Sequence, residues 1–459
     1  MQAINWQQFG LKSNPYDTNP LIEGGDLEME TAFIGREKER VALDALFDQE
    51  SHLALVVSGD VGVGKTSLAN FHKYTWKSKT PKLLFSFRRE IEACDDLLDK
   101  RNFLIEIIAS TLREIRLLEP SLLKTDPLQQ LNALVDITQT LAISADASAG
   151  FGGYQGGLGF SKQGSTQQPL KISTTALEST FLDLISYIKN HSIGGKQYSG
   201  LIVHVNNFDV LLNQVNGTNK ARVFFDEIRD ILQTRDVYFL FLGPKTFYKD
   251  VIAHSQRVKS IFAPAPLNIE PLTKTEVVEA LEKRMEQLKS PDVKEYIKPV
   301  DNAVIFKLYD LYQGDMRSIM LAIKDILGQY PEKLAKVLSI DEALLLLGRE
   351  RWDRIEQNIG LKKEQLSILE FLVKSNKDIS QKEVSVKLGK RASNVSSYYF
   401  KPLKEHGIIE EKRTEGNTVY YGLTTDYEPL TWFFISKQEV EKEIVRDAKY
   451  VQASLFEAE

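Results

Sequence analysis

The feature that most constrains how this chain can fold is a glycine-rich loop at residues 59–66. The loop reads Gly59-Asp60-Val61-Gly62-Val63-Gly64-Lys65-Thr66 and matches G-x-x-x-x-G-K-[ST] throughout. An apolar run, LALVV at 53–57, precedes it, and a helical pattern follows it. The glycines let successive backbone N–H groups face phosphate oxygens, and the helix adds the positive end of its dipole. The motif therefore predicts a strand, a phosphate-binding loop and a helix.

The residue types in this loop indicate a nucleotide with a magnesium ion. Lys65 supplies a positive charge to the β and γ phosphates, and the Thr66 hydroxyl is a ligand for Mg²⁺. The predicted nucleotide-binding residues of the loop are Gly59, Asp60, Val61, Gly62, Val63, Gly64, Lys65, Thr66 and Ser67. The expected cofactors are therefore ATP and Mg²⁺. The alternative interpretation is a glycine-rich turn that binds nothing.

Four buried-strand patterns place the loop in an α/β domain. They lie at 53–57, 83–87, 201–205 and 237–242. Helical patterns, such as 102–118 and 174–190, lie between them. Continuous apolar runs are typical of strands buried on both faces of a parallel sheet. The alternation predicts an α/β fold of three layers, with helices on both faces of a parallel sheet.

The strand pattern at 201–205 is where the partner motif of a nucleotide site is expected. Such a strand ordinarily ends in two acids, one holding Mg²⁺ through water and one orienting the attacking water. Here it ends in Asn206 and Asn207, and Asp209 follows on what we expect to be a loop. An amide can hydrogen-bond to a metal-bound water but cannot accept a proton as a general base. We therefore place Asn206 in the metal site and Asn207 in the catalytic position.

This substitution separates binding from catalysis. Nucleotide binding should survive the loss of the acids far better than hydrolysis does, so activity as an ATPase stays open at this point. The alternative interpretation of 201–205 is a strand that serves only the core.

The chain divides into four predicted segments. Residues 1–272 form the α/β nucleotide-binding domain, 273–355 a helical lid domain, 356–425 a winged helix-turn-helix and 426–459 a C-terminal tail or helix. A glycine-rich stretch at 150–164 carries interleaved aromatic residues and predicts a hairpin, within an insertion of about 143–170. Its hypothetical role is contact with DNA or a neighbouring subunit, and the alternative is a surface hairpin without one.

Residues 361–425 show the order of a winged helix. An amphipathic helix is followed by a second helix that a capping box at Ser380 and Glu383 opens, by a third that Ser393 can cap, and by a two-stranded wing. Pro402 is expected to kink or end the third helix. The predicted DNA-binding residues are Lys382, Lys390, Arg391, Ser393, Asn394, Ser396, Ser397, Tyr398, Lys401, Lys412 and Arg413. Such basic and short polar groups can meet phosphates or base edges.

The charge distribution supports this assignment. The chain carries a net charge of −5, but residues 361–425 hold twelve basic and eight acidic residues, a charge of +4 against −9 elsewhere. The single cysteine, Cys94, excludes an intramolecular disulfide framework and a cysteine-based zinc finger. The apolar runs are too short to span a bilayer, and the N-terminus has no signal-peptide pattern, so we expect a cytoplasmic protein without a membrane partner.

Together, several motifs make the chain resemble AAA+ ATPases of the origin-recognition, initiator-like clade. They are FIGRE at 33–37, the phosphate loop, LIVHVNNFD at 201–209, QRVKS at 256–260, GDMR at 314–317 and the helix-turn-helix unit. The resemblance implies that the first stretch, with Gly35 and Arg36, contacts the adenine side and braces the first helix. It makes Arg317 a sensor of the γ-phosphate and Arg257 an arginine finger offered to a neighbouring subunit. After 237–242 the family has a polar sensor, whereas this chain has Pro244, so no sensor is assigned there.

Three functions fit these observations. The first is an ATP-binding protein that uses the nucleotide, held between the α/β and lid domains, as a conformational or assembly switch for binding duplex DNA, with slow or absent hydrolysis. The second is a nucleotide-gated signalling or assembly scaffold whose winged helix binds partner proteins. The third is an active AAA+ motor. A homo-oligomer joined through the arginine-finger face is expected, and replication initiation, transposition control and defence against mobile DNA all stay open as the process.

Overall fold

The computed structural model describes residues 4–126, 128–133, 173–329, 336–375 and 377–435. The glycine-rich stretch at 150–164, its insertion of about 143–170 and the tail from 436 onward lie outside the described residues. The chain forms two compact units, of which Pro20–Glu270 is the sheet unit. The helical unit combines Met1–Asn19 with Pro271–Glu459.

The sheet unit is built around a parallel sheet. Its strands are β1 (Leu53–Gly59), β2 (Phe85–Ser86), β3 (Ile91–Glu92), β4 (Ser192–Ile193), β5 (Lys196–Gln197), β6 (Leu201–Asn206), β7 (Val237–Gly243) and β8 (Leu267–Ile269). The sheet order is β2-β6-β7-β1-β8, with β3 also pairing with β6, while β4 and β5 form a separate antiparallel hairpin. Every pairing in the large sheet is parallel. The carboxyl ends of β1, β6 and β7 therefore meet at one edge, where ligands of such sheets bind.

Helices cover both faces of this sheet. They are Met29–Ala32, Glu37–Gln49, Lys65–Ser78, Lys100–Leu118, Thr174–Asn190, Phe208–Leu212, Gly217–Glu227, Arg229–Leu232 and Gln256–Lys259. Val203 of β6 packs in one core with Phe103 and Leu177, whereas its neighbour Ile202 packs in a second core with Leu68. Successive strand residues thus face opposite layers, as alternation requires. The predicted three-layer α/β class with a parallel sheet is confirmed.

Two strands differ from the sequence prediction. The run at 83–87 pairs with β6 only at Phe85 and Ser86. The carbonyls of Phe87 and Arg88 instead accept hydrogen bonds from the buried Lys73 ammonium, at 3.1 and 3.3 Å. The short strand β8 was not predicted, because its three residues lie among prolines and carry too little periodicity to be recognised.

The helical unit contains two groups of elements. Its α-helices are Lys274–Gln287, Asn302–Tyr312, Met316–Gly328, Ile340–Arg354, Lys363–Ser375, Gln381–Leu388, Ala392–Val395 and Lys401–Glu405. The strands β9 (Ile379–Ser380), β10 (Ile409–Glu415) and β11 (Thr418–Leu423) form an antiparallel sheet of order β10-β11-β9. Phe9 and Tyr16 of the N-terminal segment pack in one core with the first four of these helices, Lys274–Gln287 to Ile340–Arg354. The predicted first domain, 1–272, includes this segment, which the structure groups with the helical unit.

The helix around Pro402 does not end at the proline, where the sequence predicted a kink or an end. The predicted cap, Ser393, lies inside this helix, which begins at Ala392. A π-helical turn at Ser396–Phe400 joins helix Ala392–Val395 to helix Lys401–Glu405, so the chain stays helical from Ala392 to Glu405. Because proline has no N–H, the carbonyl of Tyr398 loses its usual helical donor. The side chain of Gln365 donates to that carbonyl at 2.8 Å, so the neighbouring helix satisfies it and the helix passes through the proline.

Within the described ranges, none of the helices combines the length and apolar character needed to cross a membrane.

Candidate functional site

The phosphate loop joins the end of β1 to the start of helix Lys65–Ser78. Gly62 and Gly64 adopt positive φ angles of 77° and 95°, which only glycine enters without strain. At Gly59 a Cβ atom would lie 2.5 Å from the Ile269 carbonyl oxygen of β8, so the loop and this strand fit only without a side chain. A Cβ on Gly64 would meet nothing within 4 Å, which leaves the mouth of the loop open.

The Lys65 side chain is held inside the loop. Its ammonium donates hydrogen bonds to the carbonyls of Gly59 and Asp60, at 3.0 and 2.8 Å. The residue is buried, with 8% of its surface exposed. The structure therefore places a positive charge at the point where the motif requires one for a phosphate.

The end of β6 meets the loop at Thr66. The Asn206 amide Nδ2 donates to the Thr66 hydroxyl at 3.0 Å, so the residue predicted for the metal site faces the residue predicted as its ligand. Asn207 follows in the left-handed region, at φ 66°, and directly precedes helix Phe208–Leu212. Asp209 lies in the first turn of that helix rather than on a loop, and its carboxylate accepts from the Val210 N–H. One carboxylate oxygen of Asp209 is thus bonded within its own turn.

Arg36 braces the loop from the side. Its guanidinium donates to the Val63 carbonyl at 2.7 Å, to the Glu270 carbonyl, and to the Glu39 carboxylate at 3.1 Å. The side chain is buried, and the residue itself has a φ of 73°. These bonds show Arg36 fixing loop backbone, and Gly35 precedes it at a φ of 71°.

Lys245 is a site residue that the sequence analysis missed. It follows β7, and its ammonium lies 2.8 Å from the Asp60 carboxylate and 3.3 Å from the Glu270 carboxylate. The hydrogen bond to Asp60, with the one to Glu270, raises the pKa of Lys245 above its ordinary value. β7 lies between β6 and β1 in the sheet, so the residues that follow it reach the edge at which the phosphate loop lies. The sheet order was needed to recognise it.

The helix that follows the loop is anchored by buried charges. Lys77 pairs with Glu114 at 2.7 Å, and Glu114 also accepts from the Arg88 N–H at 3.1 Å. Burial lowers the pKa of Lys73 to about 8. On β6, burial holds the pKa of His204 well below its ordinary value, and neither ring nitrogen has a hydrogen-bond partner in the described structure. Lys77 and Lys73 thus tie helix Lys65–Ser78 to Glu114 and to the carbonyls of Phe87 and Arg88.

The two predicted arginine roles fall in different units. Arg257 is an exposed residue of helix Gln256–Lys259 in the sheet unit. Arg317 is an exposed residue in the first turn of helix Met316–Gly328 in the helical unit. Asp315 caps that helix by accepting from the N–H groups of Arg317 and Ser318, at 2.9 and 3.3 Å. The structure shows both side chains exposed, and their roles stay predictions.

The predicted DNA-binding residues lie on the surface of the segment 361–425. Asn394, Ser397, Tyr398 and Lys401 are exposed at helical spacing on one face, with Tyr398 at 65% exposure. Exposed residues of the same set are Lys382, Lys390, Arg391, Ser393, Lys412 and Arg413, whereas Ser396 is half-buried. The elements run helix, helix, helix and hairpin, and the capping box at Ser380 and Glu383 is present.

Several of these cations already contact acids. Lys390 contacts the Tyr399 hydroxyl at 2.5 Å and Glu364 at 3.4 Å, which raises its pKa. On the hairpin, Lys412 lies 2.7 Å from Glu410. Within the described residues, neither Lys382 nor Arg391 has an acidic partner. The cations without an acidic partner are therefore Lys382, in helix Gln381–Leu388, and Arg391, just before helix Ala392–Val395.

The chain matches no protein-family model and no curated protein. Among solved structures it is similar to the ORC2 protein of Aeropyrum pernix, with 14% identity over 95% of this chain and 100% of that chain and a TM-score of 0.46. It is also similar to the ORC1 protein of Aeropyrum pernix solved in complex with DNA, with 15% identity, 92% and 100% coverage and a TM-score of 0.43. A third, Cdc6p of Pyrobaculum aerophilum, gives 15% identity, 90% and 99% coverage and a TM-score of 0.37.

The arrangement at the loop allows binding more readily than catalysis. Lys65 and the curled backbone suit phosphate oxygens, and the Thr66 hydroxyl with the Asn206 amide oxygen suits a hydrated hard cation such as Mg²⁺. The described residues contain no group of three histidine, cysteine or acidic side chains that could hold a metal by themselves. A magnesium ion here would therefore depend on the nucleotide phosphates and water for most of its ligands.

Proposed function

We propose that this protein binds ATP with Mg²⁺ and uses the nucleotide as a switch that controls binding to duplex DNA, with slow or absent hydrolysis. The observation that carries the nucleotide part is the 3.0 Å hydrogen bond between Asn206 and Thr66. It joins the two predicted halves of a magnesium–nucleotide site while an amide stands where a hydrolytic enzyme needs an acid. The fit to Mg²⁺ rests on the Thr66 hydroxyl, with Asn206 able to bond to a metal-bound water.

The nucleotide part is tested by binding and turnover measured on the same protein. Wild type should bind ATP and ADP with Mg²⁺ in calorimetry, and Lys65→Ala should lose both. Steady-state hydrolysis should stay at or near the rate without protein. ATP turnover at the rate of an active AAA+ motor would instead support the interpretation of the protein as such a motor.

The DNA part of the proposal rests on the exposed face of the helix that begins at Ala392 and on the cations beside it. Lys382 and Arg391 are exposed and have no acidic partner among the described residues, so they are available to phosphates. Replacing both with glutamate should weaken duplex binding by at least tenfold, because two favourable phosphate contacts become repulsive. The matched control is Arg349→Glu, which changes charge on an exposed residue of helix Ile340–Arg354. Equal loss in the control would show a general charge effect.

The protein-interaction alternative is favoured by a different observation. Val386 and Tyr398 are exposed at 77% and 65%, and the hairpin cation Lys412 lies beside Glu410. Exposed apolar side chains with neutralised cations suit a protein surface better than a phosphate backbone. A gel shift with random duplex DNA, with and without ATP, distinguishes the two. Absence of a shift under both conditions would favour the scaffold.

We include self-assembly through Arg257 in this proposal. An exposed guanidinium on the sheet unit can reach the nucleotide phosphates of a neighbouring copy, as the resemblance implies. Light scattering should show a larger particle with ATP, and Arg257→Ala should lower its mass. An ATP-dependent particle that forms equally well in Arg257→Ala would remove the arginine finger from the proposal. In the same way, Arg317→Ala should weaken ATP binding more than ADP binding if Arg317 senses the γ-phosphate.

A further inference from the structure

A cavity of about 320 Å³ lies in the helical unit, where helices Asn302–Tyr312 and Lys363–Ser375 meet the hairpin of β10 and β11. All of its lining residues belong to that unit, so the cavity is separate from the phosphate loop. Its volume falls in the range of cavities that hold small molecules, roughly 300–1,000 Å³. The charged and aromatic residues that line it are Lys307, Lys377, Asp378, Lys412, Glu428 and Trp432.

The hairpin is shaped around the charged groups on one wall of this cavity. The pairing of β10 with β11 shifts between Glu411 and Arg413, which leaves Lys412 as the extra residue of a β-bulge. Such bulges re-aim a side chain. At Gly422 a Cβ atom would lie 2.9 Å from Lys412 Cγ and 2.6 Å from Asp378 Oδ1. Any side chain at the glycine would therefore displace the lysine or the aspartate.

Two charged groups of the cavity have no partner of opposite charge among the described residues. The Lys307 ammonium lies 5.7 Å from the centroid of the Trp432 ring and pairs with no described carboxylate. The Asp378 carboxylate likewise forms no ion pair or hydrogen bond with the residues that the structure describes. Lys412, by contrast, lies 2.7 Å from Glu410. One cation and one carboxylate at the same cavity are thus available to a ligand.

The rest of the lining suits a flat ring. Leu372, Val373 and Leu423 contribute buried apolar side chains, and Trp432 contributes a half-buried indole. Nucleobases stack on aromatic rings, and an ammonium forms strong hydrogen bonds with a phosphate. A carboxylate accepts hydrogen bonds from hydroxyl and amino groups, which a sugar and a base carry. The indole, the cation and the carboxylate therefore correspond to the three parts of one nucleotide.

We propose that this cavity binds a single nucleotide unit, either free or at the end of a strand. The base stacks on Trp432, the phosphate binds Lys307, and Asp378 accepts from the sugar or the base. The ammonium lies close enough to the indole for one nucleotide to reach both, because only a sugar separates its phosphate from its base. The inference does not depend on the proposed function, since no residue of the phosphate loop takes part.

The first experiment measures binding of AMP, GMP, CMP and UMP to the full chain by calorimetry, without Mg²⁺. The chain carries Lys65→Ala, so that the phosphate loop does not contribute. At least one of these monophosphates should bind, and inorganic phosphate should bind much more weakly, because it has no ring to stack. If none of the four binds, or if inorganic phosphate binds as tightly as the best of them, the proposal is wrong.

Substitutions in the same background locate the binding. Lys307→Gln keeps an extended side chain without the charge and should weaken affinity for the monophosphate by about tenfold, the usual effect of one charge-assisted hydrogen bond. Trp432→Leu, which removes the ring, should also cost roughly tenfold, and Asp378→Ala should weaken binding as well. The matched control is Lys294→Gln, which changes an exposed lysine of the same unit that does not line the cavity.

Thermal unfolding checks that each variant is folded. Because Lys307 is an exposed residue, its variant decides the outcome even if Trp432→Leu does not fold. Equal affinities in Lys307→Gln and Lys294→Gln would overturn the proposal.

A short single-stranded oligonucleotide, with and without a 5′-phosphate, distinguishes the two sources of the ligand. Displacement of the bound monophosphate only by the phosphorylated form identifies the end of a strand. Displacement by neither form identifies a free mononucleotide. Equal displacement by both forms would show that internal nucleotides bind as well, which contradicts a site for a single nucleotide unit.

Discussion

The Asn206 side-chain amide donates a hydrogen bond of 3.0 Å to the Thr66 hydroxyl, across the carboxyl edge of the parallel sheet. This contact joins the strand β6 to the phosphate loop that follows β1, although 140 residues separate the two in the chain. An aspartate in place of Asn206 would accept from the same hydroxyl and add a negative charge for Mg²⁺. The proposed loss of hydrolysis therefore depends on two side chains, Asn206 and Asn207.

The double change Asn206→Asp with Asn207→Glu should raise ATP turnover. The first carboxylate strengthens the magnesium site, and the second can accept a proton from the attacking water, which typically contributes 10²–10⁴-fold. Asn207 has a φ of 66°, a conformation that asparagine tolerates better than glutamate, so a gain near the lower end, roughly 100-fold, is expected. Phosphate release at saturating ATP measures it.

Asn206→Asp alone is the control for this change, because it supplies charge without a base at the second position. It should leave turnover near the wild-type rate. If the double variant is no faster than wild type while still binding ATP, the assignment of Asn207 to the catalytic position is wrong.

The buried histidines predict that the sheet unit loses stability in acid. Burial lowers the pKa of His72 to about 3 and that of His204 well below its ordinary value, whereas an unfolded histidine titrates near 6.5. Below pH 6.5 the unfolded chain therefore binds protons that the folded chain does not. Stability should be full above that pH and fall by up to about 1.4 kcal/mol per pH unit for each histidine as the pH is lowered toward 3.

Hydrogen exchange of peptides covering β6, at pH values from 7.5 to 5, measures this loss after correction for the intrinsic exchange rate. His204→Leu should reduce the slope, since it removes a group that takes up a proton only on unfolding. It should also raise stability at neutral pH, because two unpaired ring nitrogens leave the interior. If His204→Leu leaves the dependence of stability on pH unchanged, burial of a neutral His204 does not cause the loss of stability in acid.

A buried network of charges predicts the largest loss of stability in the helical unit. Arg351 donates to Asp325 at 2.7 Å, to Glu350, and to the Asp426 carbonyl at 2.8 Å. Arg354 binds the same two acids, at 3.3 and 2.7 Å. Arg351→Ala would leave buried carboxylates without their main partner, which typically costs about 3–5 kcal/mol.

Urea unfolding followed by circular dichroism measures this effect, with Arg349→Ala as the control on the same helix. Arg349 is 60% exposed and its nearest acid lies 4.0 Å away, so its removal should change stability by about 0.5 kcal/mol or less. Equal effects of the two changes would show that the network does not stabilise the unit.

The sequence predicted those parts of the site that local chemistry determines. The loop, the helix after it and the strand ending at Asn206 each follow from a short pattern of residue types. Lys245 could not be found in this way, because its contact with Asp60 depends on β7 lying beside β1. Knowledge of the sheet order, rather than of any local pattern, brings the two together.

Pro402 shows the same limit of local reasoning. It was expected to kink or end its helix, but the helix does not end there, because the side chain of Gln365, on another helix, replaces the missing donor. A contact between distant segments changed what the local sequence indicated.

The central claim is that the nucleotide controls binding to duplex DNA. The most direct test is fluorescence anisotropy of a labelled random duplex titrated with the full chain, with ATP and Mg²⁺, with ADP and Mg²⁺, and without nucleotide. The account predicts an affinity that differs at least tenfold between ATP and the nucleotide-free state, no such difference in Lys65→Ala, and loss of binding in the Lys382→Glu, Arg391→Glu double variant. Duplex binding of equal affinity in all three nucleotide states, or no binding in any, would contradict it.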